Sequence, residues 1–387
     1  MASNSYIQIA TVPLSCENSC QALGKLRNRS NRVPPSPFIK RFETQNYRGL
    51  KNLAVDDISL VNLIGGLNGS GKTSFLEGIF TSLDVFNPLC VLRVLQWRGL
   101  PFSIKIFKDI VLSNQKSISF RLLDHQSHEY NTKIERLEVA PFGRSMIKGK
   151  DSVNIPQSNV SVESVRISFS SAGQDRLIRD FLESGNGINI NDIKNEHVEL
   201  PLTFLLSRYT LNVQQDIAER YSSVVKSGRK STLLEILRRL DLQVVDLEIL
   251  QLNGTPVLHA QFHGAGFVPL SFAGDGVLSI MSASIAIIQA KDGILLLDEF
   301  DAAIHYSKLP ILWEIVIELA MEVNCQIFSA SHSKESIDAA VRAAQKMHAN
   351  RYLRYFRFDN VEENRTQVTK YNFSELVVAV DEDWEVR

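Results

Sequence analysis

Gly66-Leu67-Asn68-Gly69-Ser70-Gly71-Lys72-Thr73 matches the phosphate-loop pattern G-x-x-x-x-G-K-[ST] at every fixed position. The apolar run Leu60-Val61-Asn62-Leu63-Ile64 precedes it and reads as a buried strand. Phe75, Leu76, Ile79 and Phe80 follow at helical spacing. Strand, Gly-rich turn and helix form the context that the pattern requires. The glycines let the backbone curl until successive N–H groups point into one concavity. Asn68, Ser70 and Ser74 belong to that cradle together with Gly66, Gly69 and Gly71. The helix start adds free N–H groups and the positive end of its dipole. Lys72 is expected to reach the outer phosphates of a nucleotide, and the Thr73 hydroxyl to ligate Mg²⁺.

The rest of the chain sets bounds on this reading. It has 387 residues, 44% of them apolar and 22% charged, with a formal net charge of −1. That is the composition of a globular protein, and no global field draws it to nucleic acid or to a membrane. Cys16, Cys20, Cys90 and Cys325 show no metal-ligand spacing with a partner cluster and read as reduced thiols. The apolar stretch 277–290 carries three serines and a glutamine, too polar to span a bilayer. A cytoplasmic location and no membrane partner are expected.

Residues 1–37 are rich in Ser and Asn and end in Pro34-Pro35-Ser36-Pro37, which predicts a disordered extension. Their basic bias leaves an organelle transit peptide as the alternative. Residues 38–84 are expected to hold a strand over 38–47, a turn over 48–52, a second strand over 53–58 and the phosphate loop. Residues 85–265 are expected to form an inserted lobe of strands and helices. Strands are predicted over 117–123 and 130–139, a loop over 141–165, and helices over 175–184 and 211–226. A further helix over 231–240 would be capped by Ser231, and a hairpin would turn at Asn253-Gly254. Residues 266–387 complete the core.

The second strong signal is Gly293-Ile294-Leu295-Leu296-Leu297-Asp298-Glu299. Four aliphatics after a turn residue predict a strand buried on both faces. Its acids fall at the carboxyl end, where open α/β sheets place ligands. Asp298 would hold Mg²⁺, and Glu299 would orient and polarise the attacking water. Asp298 lies 226 positions after Lys72, far more than in ring-forming motors or Ras-like switches, and no guanine-reading Asn-Lys-x-Asp is present. A gap this wide, filled by a lobe, resembles the ABC-type ATPases.

Three further stretches support the resemblance. Pro269-Leu270-Ser271-Phe272-Ala273-Gly274-Asp275-Gly276 stands before a long apolar helix, in the position of the ABC signature L-S-G-G-Q. The match is degenerate, with Phe272 and Ala273 inside it and Asp275 where Gln is usual. Resemblance implies that Ser271 and Gly274 form a second anion cradle, which closes on the ATP of a partner subunit. Cys325–Ser333 reads as a strand ending at His332, which resembles the switch histidine that contacts the outer phosphate. His305 stands where transporter subunits carry an Asp, and so the chain is similar to the RecF, SMC and OLD branch.

The resemblance implies an α/β P-loop fold of ABC-ATPase type. Its sheet would be mainly parallel, with an antiparallel β-subdomain and an inserted helical lobe. It also implies ATP and Mg²⁺ as ligands and an ATP-dependent homodimer. No room for the TOPRIM nuclease of OLD proteins is seen, so the ATPase is expected to stand alone, with a separate effector such as a nuclease as possible partner. Residues 85–150 carry eleven Lys and Arg against five Asp and Glu, which allows a nucleic-acid surface through Arg93, Arg98, Lys105, Lys108, Arg144, Lys148 and Lys150. An ATP-gated switch in a prokaryotic defence or DNA-maintenance complex is the leading expectation, and a RecF-like DNA clamp the alternative. Gln96 is the tentative glutamine-loop residue.

Overall fold

The computed structural model describes residues 35–112, 115–137, 163–184, 187–207, 214–240, 242–264, 266–362 and 365–382. The expected extension over 1–37 and loop over 141–165 therefore fall almost wholly outside the described residues, as do Cys16 and Cys20.

Arg48-Gly49 is a two-residue turn between β1 (Ile39–Tyr47) and β2 (Leu50–Val55). The second strand thus starts before the expected Leu53 and ends before Ile58. Arg48 takes a left-handed φ of 53°, which suits a tight hairpin and lets Leu50 pair with Tyr47. β3 (Val61–Gly65) enters the glycine loop, and α1 (Lys72–Leu83) leaves it. Next come α2 (Cys90–Trp97) and the short α3 (Ile104–Phe107).

β4 (Ser117–Asp124), β5 (Glu129–Arg136), β6 (Glu163–Ser171), β7 (Gln174–Ser184) and β8 (Gly187–Asn195) continue the sheet begun by β1 and β2. Its order is β2-β1-β4-β5-β6-β7-β8, with every neighbouring pair antiparallel. The helix expected over 175–184 is the strand β7. Leu177, Arg179 and Phe181 are buried at a spacing of two, and β6 and β8 supply ladder partners on both sides. Arg179 mimics a solvent-facing residue in the sequence. In the fold it pairs with Asp192 and donates to the carbonyls of Val85 and Asn87.

β9 (Thr203–Ser207) precedes α4 (Gln214–Lys226) and α5 (Lys230–Arg239). The Ser231 cap is not formed: Arg229 holds the cap position without a side-chain bond, and the helix starts one residue before Ser231. Lys230 is drawn instead to Asp246 and Glu248, at 2.7 and 2.9 Å. β10 (Val244–Leu252) and β11 (Thr255–Phe262) turn at Asn253-Gly254, both at positive φ as a two-residue hairpin demands, and β12 (Phe267–Pro269) adds a third strand. The core is completed by α6 (Asp275–Gln289), β13 (Ile294–Asp298), α7 (Leu309–Val323), β14 (Gln326–Ala330), α8 (Lys334–Lys346), β15 (Leu353–Glu362), β16 (Arg365–Tyr371) and α9 (Phe373–Asp381).

The central sheet has the order β16-β15-β3-β14-β13-β9. Its strands run parallel apart from β16, which pairs antiparallel with β15. β9, from within the 85–265 stretch, is thus an edge strand of this sheet. Alternation along the strands divides the interior. Leu295, Leu297 and Ile327 join the core formed with α6, α7 and α8, whereas Ile294, Leu296 and Phe328 join the one formed with α1 and the antiparallel sheet. Both faces of the central strands are covered, which is why their sequence is continuously apolar. The phosphate loop and the ends of β13 and β14 meet at one edge of this layer.

Candidate nucleotide site

Loop geometry follows from the glycines. Gly66 and Gly71 have φ of 136° and 98°. A Cβ at Gly66 would lie 2.3 Å from the Phe358 carbonyl oxygen, and one at Gly71 would lie 2.7 Å from Leu50 Cδ2. A side chain at Gly66 would strike backbone, and at both positions the positive φ itself disfavours one. The loop is held from outside by the C-terminal hairpin: Asn360 Nδ2 donates to the Gly69 carbonyl at 3.2 Å, and Thr366 Oγ1 to that of Ser70 at 3.1 Å.

The cleft beside the loop has a volume of about 500 Å³. Asn68, Gly69, Ser70, Gly71, Lys72, Thr73 and Ser74 line it, with Glu299 from the end of β13. Lys72 Nζ donates to the carbonyls of Gly66 and Leu67 at 2.6 and 3.0 Å. Burial lowers the pKa of this ammonium, while the Glu299 and Asp298 carboxylates oppose the shift. Thr73 Oγ1 lies 3.1 and 3.0 Å from the two Asp298 carboxylate oxygens. Burial lifts the Asp298 carboxyl to about 6; the Thr73 hydroxyl pulls it down, and the neighbouring Glu299 charge adds to the rise. A hydroxyl and a carboxylate in contact are hard oxygen donors, the set that suits Mg²⁺. Ser70 Oγ is buried without a hydrogen-bond partner, so the loop holds an uncommitted donor beside the cleft. The residues present fit a nucleotide phosphate with its cation.

Glu299 has a left-handed φ of 51°, uncommon for a residue with a side chain. Its N–H donates to the Ala330 carbonyl at 3.0 Å, tying it to the end of β14. His332 follows that strand, and its Nδ1 stands 3.4 Å from Glu299 Oε1. Lys72, Thr73, Asp298, Glu299 and His332 are therefore brought together by two parallel strands and one loop. Ser271 and Gly274 are not among the cleft residues. They lie on the turn over 270–273 and at the cap of α6, where Gly274 has φ 103°.

The profile of the family described as "AAA domain, putative AbiEii toxin, Type IV TA system" matches residues 61–338, a span that contains both nucleotide motifs. The chain belongs to this AAA-domain family. The AAA-domain protein is a P-loop ATPase. A Helicobacter pylori protein named "ATP/GTP phosphatase" is 20% identical to it over 330 residues, covering 78% of this chain and 87% of that relative. Among solved structures it is similar to an Smc head bound to the C-winged helix domain of ScpA. The identity is 11%, the TM-score 0.48, and the match covers 88% of this chain and 100% of the other. The SMC head domain from Thermotoga maritima is 12% identical with a TM-score of 0.38, over 86% of this chain and 99% of that one.

Other residues of the AAA-domain protein enter the cleft without a motif to announce them. Gly49, Arg98, Asn360 and Thr366 line it. Gln96 is exposed and not among the lining residues, whereas Arg98, two positions on, is. Arg98 Nε and Arg48 Nη1 both donate to Glu77, each at 2.8 Å, and the Glu77 side chain is 2% exposed. Glu77 lies one helical turn beyond Thr73, so a buried carboxylate with two guanidinium partners backs the metal-side donors. The basic surface expected from residues 85–150 is largely neutralised where it is described. Arg93 pairs with Asp84, Arg98 with Glu77 and Lys108 with Glu163, Lys105 is exposed, and Arg144, Lys148 and Lys150 lie outside the described residues. No helix among the described residues is long and apolar enough to cross a membrane.

Proposed function

We propose that the AAA-domain protein is a Mg²⁺-dependent ATPase that works as an ATP-gated dimeric switch, controlling a separate effector protein in a prokaryotic defence or DNA-maintenance complex. The carrying observation is the cleft where the phosphate loop and Glu299 meet, with Asp298 against Thr73 and His332 against Glu299 just behind its lining. Lys72 and the loop N–H groups bind the phosphates, and Thr73 and Asp298 hold the cation. When bound, Mg²⁺ neutralises charge on the phosphoryl oxygens. Glu299 accepts a proton from the attacking water, and His332 hydrogen-bonds the outer phosphate.

Two features support the dimer. Ser271 and Gly274, the second cradle, are not part of the cleft of their own chain. Leu67 in the phosphate loop, Phe272 between Ser271 and Gly274, and Tyr306 beside His305 are 68, 79 and 69% exposed. Large apolar side chains so open to water favour burial in a contact. A second copy placing its Ser271 cradle over the first copy's phosphate loop would cover them. The family description, which names a toxin–antitoxin system, supports the defence setting. The ion pairs of Arg93, Arg98 and Lys108 favour a protein effector over a DNA clamp.

Glu299→Gln keeps the shape of the side chain and removes the base. It should lose turnover and accumulate an ATP-bound dimer, read as a doubled mass by light scattering. A monomer at every ATP and protein concentration would refute the dimer and leave a one-subunit ATPase.

A further inference from the structure

We infer that Asp301 is a positioning residue for hydrolysis, holding the Glu299 loop and the His332 loop in register through Ser331 and Ser333. This rests on the reading of Glu299 and His332 as the hydrolytic pair.

Asp301 lies two residues after Glu299 and is 5% exposed. Ser331 Oγ donates to Asp301 Oδ2 at 2.6 Å. The same Ser331 oxygen accepts the Ser333 N–H at 3.0 Å, so the two residues flanking His332 are both fixed by this one hydroxyl. The Ser336 N–H, in the first turn of α8, donates to Ser333 Oγ at 3.1 Å. The buried indole of Trp313 donates to Ser336 Oγ at 3.0 Å, and its ring meets Phe300 edge-on at 5.7 Å. Phe300 sits between Glu299 and Asp301 in the chain. The network thus leaves the Glu299 loop at Asp301, crosses to both sides of His332, and returns through α8 and α7 to Phe300.

The loop also has its own turn bonds, Ala302 N–H to the Glu299 carbonyl at 3.2 Å and Ile304 N–H to the Asp301 carbonyl at 3.0 Å. Those bonds shape the loop whatever side chain stands at 301. What they do not do is set its distance from β14. An apolar residue would fill position 301 without the penalty of burying a carboxylate, and that penalty is offset only where the carboxylate is satisfied by donors. Here the donor is the Ser331 hydroxyl, which also holds the Ser333 N–H on the far side of His332, and His332 stands 3.4 Å from Glu299. A displacement near 1 Å at such a pair costs on the order of a hundredfold in rate.

The test uses the full chain and three variants, Ser331→Ala, Ser331→Thr and Asp301→Asn, with Glu299→Gln as reference. ATP turnover, KM, ATP affinity by calorimetry and melting temperature are measured for each. Ser331→Ala and Asp301→Asn should lower kcat by roughly ten- to a hundredfold, with KM and ATP affinity within about threefold of wild type. Ser331→Thr, which keeps the hydroxyl, should stay close to wild type. A fourth protein, with Ser331→Ala and Asp301→Asn combined, should be no slower than the slower single, because both break one link. Wild-type kcat in folded Ser331→Ala, losses that multiply in the double variant, or a fall in kcat that merely tracks the folded fraction would overturn the inference. If Asp301→Asn does not fold, Ser331→Ala and Ser331→Thr decide alone. If Glu299→Gln keeps its turnover, it is the underlying reading of the hydrolytic pair that fails.

Discussion

Lys72 is held by two backbone carbonyls and two nearby carboxylates, so its ammonium is the centre of charge in the loop. Lys72→Ala should weaken ATP binding at least tenfold, about 1.4 kcal/mol or more, by calorimetry. Unchanged affinity would remove the phosphate-loop assignment. Asp298 gives a second expectation, of opposite sign for stability. Its folded value of about 6 lies above the ordinary 3.8, so ionising it disfavours the fold. That cost is fully present above about pH 6 and is gone once the pH falls below the unfolded value. Asp298→Asn, with no nucleotide and with a chelator, should therefore melt higher than wild type at pH 8. The gain should be on the order of 1–3 kcal/mol and close by about pH 4, while turnover is lost. Equal melting at pH 8 would show that the Thr73 hydrogen bonds already compensate the buried charge.

At the scale of elements, the glycine loop does not stand alone. The β15–β16 hairpin presses on it through the Phe358 carbonyl, Asn360 and Thr366. Thr366 is buried, and its hydroxyl satisfies a carbonyl of the loop. Thr366→Val keeps the volume and leaves the Ser70 carbonyl without that donor, at a cost of about 1–3 kcal/mol shared between fold and site. The expected result is an ATP dissociation constant raised about three- to tenfold, with a smaller change in melting temperature. If affinity stays at the wild-type value, the hairpin only flanks the loop. Nothing in the local sequence of 353–371 announces this contact. The bond joins residues almost 300 positions apart, beyond the reach of any local pattern. The same limit explains β7. Its residues carry no alternation of charge strong enough to outvote a helical reading, and the decision came from β6 and β8.

At the scale of the whole molecule, the proposed dimer makes each active site from two chains. Lys72→Ala disables the loop of a subunit but leaves its cradle. Ser271→Arg blocks the cradle by bulk and leaves its loop. Each variant alone should be inactive as a homodimer, with Ser271→Arg still binding ATP as a monomer. A mixed dimer of the two retains one intact composite site. Mixing equal amounts should therefore restore part of the turnover, up to about a quarter of the wild-type level when pairing is random. No restoration at any protein concentration, with wild-type turnover independent of concentration, would count against a shared site. The exposed Phe272 makes a related point: an apolar residue in the middle of a cradle loop is costly for an isolated subunit and useful in a closed one.

Two stretches of sequence determined the central features by themselves, because their chemistry is local. Gly66 to Thr73 needs glycines where the backbone turns left-handed, then a lysine and a hydroxyl at the helix start, and these requirements are written in consecutive residues. Ile294 to Glu299 is apolar throughout because both sheet faces are covered, and its acids fall where the strand leaves the core. Tertiary structure alone decided the rest. Arg98 and Arg48 meet over Glu77, Asn360 and Thr366 reach the loop from the C-terminal hairpin, and Asp301 receives the Ser331 hydroxyl beside His332. Each of these is a pairing of polar groups far apart in the chain. Hydrophobic periodicity carries no record of such pairs, since a polar residue on an element reads the same whether it faces water or a buried partner.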